Sequence, residues 1–144
     1  MPIANYTSSV SPAKSVGEIT QMLVKAGARG IATEYDPVGR ITGLTFALVY
    51  DGDTFHYSLP VRVDAVSATL KAQKVEKRFL THDHAERVAW RILRDWVRAQ
   101  MAVIETQMVS SPQIFLPYMR TSTGGTVFEN WELSRALPDR AITS

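Results

Sequence analysis

The sequence predicts an α+β domain: a three-stranded antiparallel meander packed on one face by an N-terminal helix and a long third helix, with a second helix bridging them. Two observations support this fold class. The longest periodic segment, residues 82–109, keeps the spacing of an amphipathic helix throughout. Three shorter segments between residues 30 and 59 alternate apolar and polar side chains, as half-buried antiparallel strands do.

Length and composition fit one domain, since the chain has 144 residues and 45% apolar side chains. We expect a mobile lead-in over residues 1–14, a folded domain over 15–119 and a flexible extension over 120–144. The absence of cysteine excludes disulfides, thiolate nucleophiles and cysteine-ligated zinc. Neither a signal peptide nor an apolar run near the ~20 residues of a membrane span is evident. We therefore expect a cytoplasmic protein.

The first helix is expected from about residue 16 to residue 26. Ser15 and Glu18 have the spacing of a capping box, and Gly27 is a typical C-terminal stop. Apolar residues follow the cap at helical spacing: Ile19, Met22, Leu23 and Ala26.

The three strands are expected at Gly30–Tyr35, Arg40–Tyr50 and Thr54–Leu59. A type I turn at Asp36–Gly39 and a tight hairpin at Asp51–Asp53 connect them. One face is rich in large apolar residues, and the other is plainer, with Thr45, Ala47, Thr54, His56 and Ser58. This plain face and an unpaired edge strand favour a homo-oligomer.

The second helix is expected from Asp64, as N-cap, to about Val75. Basic residues cluster at its end and in the following loop: Lys71, Lys74, Lys77 and Arg78. Thr81 is a suitable N-cap for the long third helix, and Ser111-Pro112 indicates a further helix start. Two apolar groups follow, at residues 114–119 and 127–133.

A row of arginines is the most suggestive feature of the long helix. Its apolar residues share one broad face: Ala85, Val88, Ala89, Ile92, Leu93, Trp96, Ala99 and Val103. The opposite side carries an arginine stripe: Arg87, Arg91, Arg94 and Arg98. The stripe spans roughly 16 Å at ~1.5 Å per residue, so it can contact successive phosphates. It is also typical of a solvated face, with weak ion pairs to Asp83 and Asp95.

Trp90 lies at the edge of the arginine stripe. It belongs either to a ligand surface or to the boundary of the packing face of the helix.

Catalytic and metal-binding motifs are missing from the sequence. His82-Asp83-His84 offers alternate histidines, but a zinc site needs three or four ligands, and helix-start chemistry explains the segment as well. No nucleophile elbow, P-loop or paired catalytic carboxylates are evident. We therefore expect no enzyme activity, no metal and no cofactor.

Four segments of the chain resemble a family of small uncharacterised proteins of bacteriophage genomes. They are Lys25–Gly30, Leu59–Arg62, Ala85–Trp96 and Phe115–Tyr118. The resemblance covers roughly residues 16–119. It implies a phage or prophage origin and assigns no functional residue.

Two hypotheses for function follow. In the first, a non-catalytic phage protein binds nucleic acid, with single-stranded DNA favoured, through the arginine stripe, the basic segment Lys71–Arg78 and Trp90. In the second, a phage interaction protein inhibits or sequesters a host factor through the apolar groups 114–119 and 127–133. A net charge of +2 permits nucleic-acid binding without requiring it.

Overall fold

Three consecutive strands form the antiparallel meander that the sequence predicts. In the computed structural model, which describes residues 1–135, the strands are β1 (Arg29–Tyr35), β2 (Ile41–Tyr50) and β3 (Asp53–Pro60). In the first turn, the amide of Gly39 donates to the carbonyl oxygen of Asp36 over 2.9 Å. In the second turn, Asp51 and Gly52 both have positive φ, as a two-residue hairpin requires.

Helices lie before and after the sheet. The α-helices of the described residues are α1 (Pro12–Lys25), α2 (Val63–Ala72), α3 (His82–Glu105), α4 (Ser111–Phe115) and α5 (Val127–Arg135). Two short 3-10 turns occupy Lys77–Phe79 and Leu116–Tyr118. Helices α1 and α2 both pack against α3, so α3 is the central helix of the molecule. The predicted α+β class is confirmed.

The core lies between one face of the sheet and the helices. The sheet contributes Leu44, Phe46, Leu48, Tyr57 and Leu59, all buried. The ring of Phe115, from α4, lies 5.3 Å from that of Phe46 and 5.8 Å from that of Trp96. It therefore joins the sheet to α3, and burial of such a ring contributes a few kcal/mol.

Helix α1 begins four residues earlier than the sequence predicts. The side chain of Ser11 accepts the amide of Lys14 over 3.1 Å, and Pro12 occupies the first turn. Ser15 is fully buried inside the helix, and Glu18 contacts α3 instead of capping α1. The predicted capping box was wrong because Ser11-Pro12, a stronger start signal, precedes it.

Residues 3–8 cross the surface of α2 and α3, and we name them the N-terminal strap. The amide of Ile3 donates to Oε1 of Gln73 over 2.9 Å. The side-chain amide of Asn5 donates to Asp95 over 2.9 Å, and Tyr6 makes an edge contact with Phe79. The segment that the sequence treats as a mobile lead-in therefore has long-range contacts.

Boundaries of the later helices differ in detail. Helix α2 ends at Ala72 and has no side-chain cap, since Asp64 lies in its first turn and bonds Arg62. The prediction of Thr81 as N-cap is confirmed, with its hydroxyl 3.1 Å from the amide of His84. Ser110 caps α4 through a capping box.

The C-terminal segment returns to the sheet. The amide of Arg120 donates to the carbonyl oxygen of His56 over 2.7 Å, which places this segment against the edge of β3. Residues 127–135 of the predicted flexible extension form α5, and residues 136–144 lie outside the described residues. Strand β1 pairs only with β2 in the described part of the chain, and its register shifts between Arg29 and Ala32.

Candidate interaction surfaces

The arginine stripe is divided by the packing of α1 on α3. Arg91 and Arg94 lie at this interface, where their side chains are only 13% and 21% exposed. Nη1 of Arg91 donates to the carboxylate of Glu18, and Nε of Arg94 lies 3.6 Å from the same carboxylate. These two guanidinium groups are neutralised within the chain, so they do not form a free row of cations.

The predicted ion pairs of the stripe are also replaced. Asp95 pairs with Arg94 over 3.1 Å, and Asp83 pairs with Arg40 over 3.0 Å. The hydrogen bond from Asn5 and the charge of Arg94 lower the pKa of Asp95, although partial burial opposes them. Asp83 therefore attaches the turn before β2 to α3, whereas Asp95 contacts both the N-terminal strap and Arg94 of its own helix.

The two ends of the stripe differ from its middle. Arg87 is partly buried, and its guanidinium lies 3.3 Å from Nδ1 of His84. Arg98 is exposed and lines a shallow depression of about 370 Å³ together with Lys25 and Gln21. Only Arg98 thus remains as an exposed member of the predicted stripe.

Trp90 is not a surface residue. Its side chain is fully buried, and its indole Nε1 has no hydrogen-bond partner among the described residues. The prediction of Trp90 at a nucleic-acid surface was wrong. Helix α3 carries a second apolar stripe, because Trp90, Val97, Met101 and Ile104 recur at helical spacing and belong to the core or pack against it.

The basic segment between α2 and α3 remains in solvent. Its four cations are all exposed: Lys71, Lys74, Lys77 and Arg78. Arg78 lies over the ring of Phe79, 4.6 Å from its centroid, and pairs with Glu76 over 3.1 Å. We name these four residues, which extend from the last turn of α2 to the 3-10 turn, the basic turn. Unlike the middle of the arginine stripe, all four are exposed.

The apolar group 114–119 is split between core and surface. Ile114 and Phe115 pack into the core, whereas Leu116 is 47% exposed. On α5, the exposed apolar residues are Phe128 (47%), Trp131 (46%) and Leu133 (70%). Because the 3-10 turn 116–118 packs against α5, we name Leu116, Phe128 and Trp131 the C-terminal apolar surface. At about 100° per residue, Leu133 lies on the opposite side of α5 from Trp131.

Two grooves share Leu59, Pro60 and Tyr118 in their walls, and the first also contains Phe128 of this surface. The first has a volume of about 330 Å³ and lies between the end of β3 and the C-terminal segment, with Phe128, Arg120 and Glu129 in its wall. The second has a volume of about 380 Å³ and lies between α2 and α3. Its lining is mainly apolar: Leu59, Pro60, Val61, Ala65, Val66, Ala89, Ile92, Leu93 and Trp96. Sequence reasoning missed both grooves, because they form from segments distant in the chain.

No cluster of three or more His, Asp or Glu side chains suited to a metal ion occurs in residues 1–135. His84 is buried while His82 is exposed, so the alternate histidines point to different environments. Within the same residues, no helix combines the length and apolar character needed to cross a bilayer.

Comparison with known proteins found no match to a family model, to a curated protein or to a solved structure. The resemblance to bacteriophage proteins therefore stays a prediction.

Proposed function

We propose that this protein is a non-catalytic interaction protein that binds another protein through its C-terminal apolar surface. The observation that carries the proposal is the exposure of Phe128 and Trp131, whose rings contact each other, together with that of Leu116 on the adjoining turn. Single exposed apolar residues are ordinary, but a cluster of them marks an interaction site.

The composition of the surface supports a protein partner. The rings of Phe128 and Trp131 lie 5.6 Å apart, and the guanidinium of Arg135 lies 5.2 Å over Trp131. Tryptophan and arginine are the residues most enriched among those that dominate binding energy. The groove that contains Phe128 can accept an apolar side chain of the partner, and the resemblance to phage proteins leads us to propose a host protein.

The test is capture of a partner from bacterial lysate with matched variants. We expect Phe128→Ser combined with Trp131→Ser to lower capture of a specific host protein at least tenfold, since each lost anchor removes on the order of 2 kcal/mol. Val38→Ser combined with Met108→Ser removes two exposed apolar side chains elsewhere and should leave capture unchanged. Equal capture by both double variants would reject the proposal.

A second candidate is nucleic-acid binding through the basic turn rather than through the arginine stripe. The specific observation in its favour is the exposure of all four cations between residues 71 and 78, with Glu76 as the one acidic residue among them. If each cation neutralises one phosphate of a single strand, log affinity falls against log salt with a slope of about −3.

Fluorescence anisotropy with single- and double-stranded oligonucleotides at two salt concentrations tests this candidate. The variant with Lys71, Lys74, Lys77 and Arg78 all replaced by Gln should lose binding. A charge-matched control replaces Lys14, Lys25, Arg29 and Arg98, which are also exposed, and should bind with a small loss. A similar loss of affinity in both variants would show that binding depends only on net charge, which would reject a site at the basic turn.

Self-association also stays a prediction. The open edge of β1 can pair with a second chain, but Gly30, with φ of 61°, lies at the register shift and distorts that edge. Light scattering of the purified protein measures the assembly size directly, and a mass of one chain would reject the oligomer.

A further inference from the structure

We propose that the cleft between α1 and α3 is a binding site for a small phosphate dianion, either free phosphate or the phosphate group of a small ester. A depression of about 370 Å³ lies between the two helices, and we name it the α1–α3 depression. Its lining residues are Glu18, Gln21, Met22, Lys25, Arg94 and Arg98. The depression shares no residue with the C-terminal apolar surface, so this inference goes beyond the proposed function.

Two cations of the depression have no acidic partner. Lys25 and Arg98 are exposed, and neither side chain forms an ion pair or a hydrogen bond within residues 1–135. Lys25 suits the last turn of α1, where the backbone carbonyl groups carry partial negative charge. Arg98 has no such role, because it lies about two turns before the end of α3. Its guanidinium is therefore available to a ligand.

The carboxylates beside the depression are already engaged. Glu18 accepts a hydrogen bond from Nη1 of Arg91 and lies 3.6 Å from Nε of Arg94. Asp95 pairs with Nη1 of Arg94 over 3.1 Å. Together with the two unpaired cations, these arginines make four positive charges against two carboxylates. The depression and its immediate neighbours therefore carry an excess of two positive charges.

Arg94 shows that oxygen acceptors are also short at this interface. Its Nε is buried and has no hydrogen-bond acceptor in the described part of the chain. The oxygen of Glu18 at 3.6 Å is too distant for a hydrogen bond and is already bonded by Arg91. Buried N–H groups normally have an acceptor. An excess of donors and of positive charge favours a ligand that supplies negatively charged oxygen atoms.

A phosphate dianion complements this arrangement in charge and in hydrogen bonding. A phosphate monoester carries a charge of about −1.5 to −2 at pH 7 and three acceptor oxygens. That charge matches the excess of positive charge, whereas one carboxylate would leave half of it unbalanced. The donors available are the guanidinium of Arg98, the ammonium of Lys25 and the side-chain amide of Gln21.

The composition of the depression indicates a small ligand rather than a nucleic-acid strand. None of its described lining residues is aromatic, so a base would find no ring on which to stack. A strand also needs a run of free cations, but Arg91 is only 13% exposed and is bonded to Glu18. The basic turn is a separate feature, because residues 82 and 98 of α3 lie roughly 24 Å apart at ~1.5 Å per residue.

An NMR titration of the isotope-labelled full chain tests the site. Glycerol phosphate, inorganic phosphate and acetate are added separately at constant ionic strength. We expect saturable shifts of backbone amides within residues 21–25 and 94–98 with phosphate and none with acetate. Binding of inorganic phosphate alone would identify free phosphate as the ligand, and binding of both phosphates would extend the site to small esters. No saturable shift with either phosphate, or equal binding of acetate, would overturn the proposal.

Two variants test the lining residues separately. Arg98→Gln should weaken phosphate binding about tenfold or more, as expected when one charged hydrogen bond is lost. Gln21→Glu is nearly isosteric and places a negative charge in the depression, so it should weaken binding even if Arg98→Gln perturbs α3. Both residues are exposed, so both variants should keep the native fold.

A matched control removes cations outside the depression. Lys74→Gln combined with Lys77→Gln replaces two exposed lysines of the basic turn. Since this turn lies beyond a Debye length from the depression, the affinity for phosphate should stay within about twofold of the native value. An equal loss of affinity in the control and in Arg98→Gln would show a net-charge effect and would overturn the site. Unchanged affinity in both Arg98→Gln and Gln21→Glu would overturn it as well.

Discussion

The α1–α3 interface and the C-terminal apolar surface invert the usual distribution of side chains. At the interface, Arg91 and Arg94 are largely withdrawn from solvent beside Glu18. At the surface, Phe128 and Trp131 face solvent. Buried charges persist where they are paired, and clustered exposed apolar residues persist where they bind something. Residue type alone therefore does not indicate which faces of this protein are buried.

The largest difference in stability is expected between variants of two neighbouring residues, one buried and one exposed. Phe115→Ala should lower the free energy of unfolding by about 3–5 kcal/mol, because it leaves a cavity among Phe46, Tyr57 and Trp96. Leu116→Ala should change it by less than ~0.5 kcal/mol, since that side chain is already half exposed. Urea unfolding measures both values. Equal losses would show that the segment is not divided between core and surface.

A second comparison separates the arginines of the stripe from one another. Arg91→Gln should lower the free energy of unfolding by about 1–2 kcal/mol, because the carboxylate of Glu18 then loses its charged hydrogen bond from Arg91. Arg98→Gln should cost less than ~0.5 kcal/mol, since its side chain lies in solvent. Thermal and urea unfolding of the two variants provide the measurement. A stripe that is uniformly solvated would give the same small value for both.

The smallest expected effect depends on pH and concerns Asp95. Its pKa is lowered in the folded state, mainly by Asn5, so its charged form stabilises the fold. This contribution is present above the pKa of an unfolded aspartate, ~3.9, and is lost as pH falls through the lower folded value. The group is about half exposed, so the contribution should stay below ~1 kcal/mol. Unfolding of Asp95→Asn and native protein should differ at pH 6 and converge near pH 2. A difference that is constant with pH would contradict this assignment.

The sheet, its turns and the long helix could be predicted because each depends on local signals. Asp36–Gly39 and Asp51-Gly52 have turn chemistry in the sequence itself, and Thr81 caps α3 as expected. The solvent exposure of the arginine stripe could not be predicted from one helix. It depends on Glu18, which lies 73 residues away from Arg91 in the chain.

The sequence of α3 does carry one signal for the burial of its arginines. Trp90, Val97, Met101 and Ile104 form a second apolar stripe beside the arginines, so α3 had to be covered on more than one side. That coverage predicts burial of the neighbouring arginines and of Trp90. The grooves beside Pro60 and the contact of His84 with Tyr6 had no such signal, because each depends on segments distant in the chain.

A double-mutant cycle between Glu18 and Arg91 tests most directly whether the arginine stripe belongs to the fold rather than to a binding surface. The free energies of unfolding of the native protein, Glu18→Gln, Arg91→Gln and the double variant define the cycle. We expect a coupling of about 1–2 kcal/mol, as for partly buried residues in contact. The exposed pair Arg62–Asp64 should give less than ~0.5 kcal/mol in the same experiment. A coupling energy near zero between Glu18 and Arg91 would contradict a structural role for the pair and would indicate that the arginine stripe is solvated.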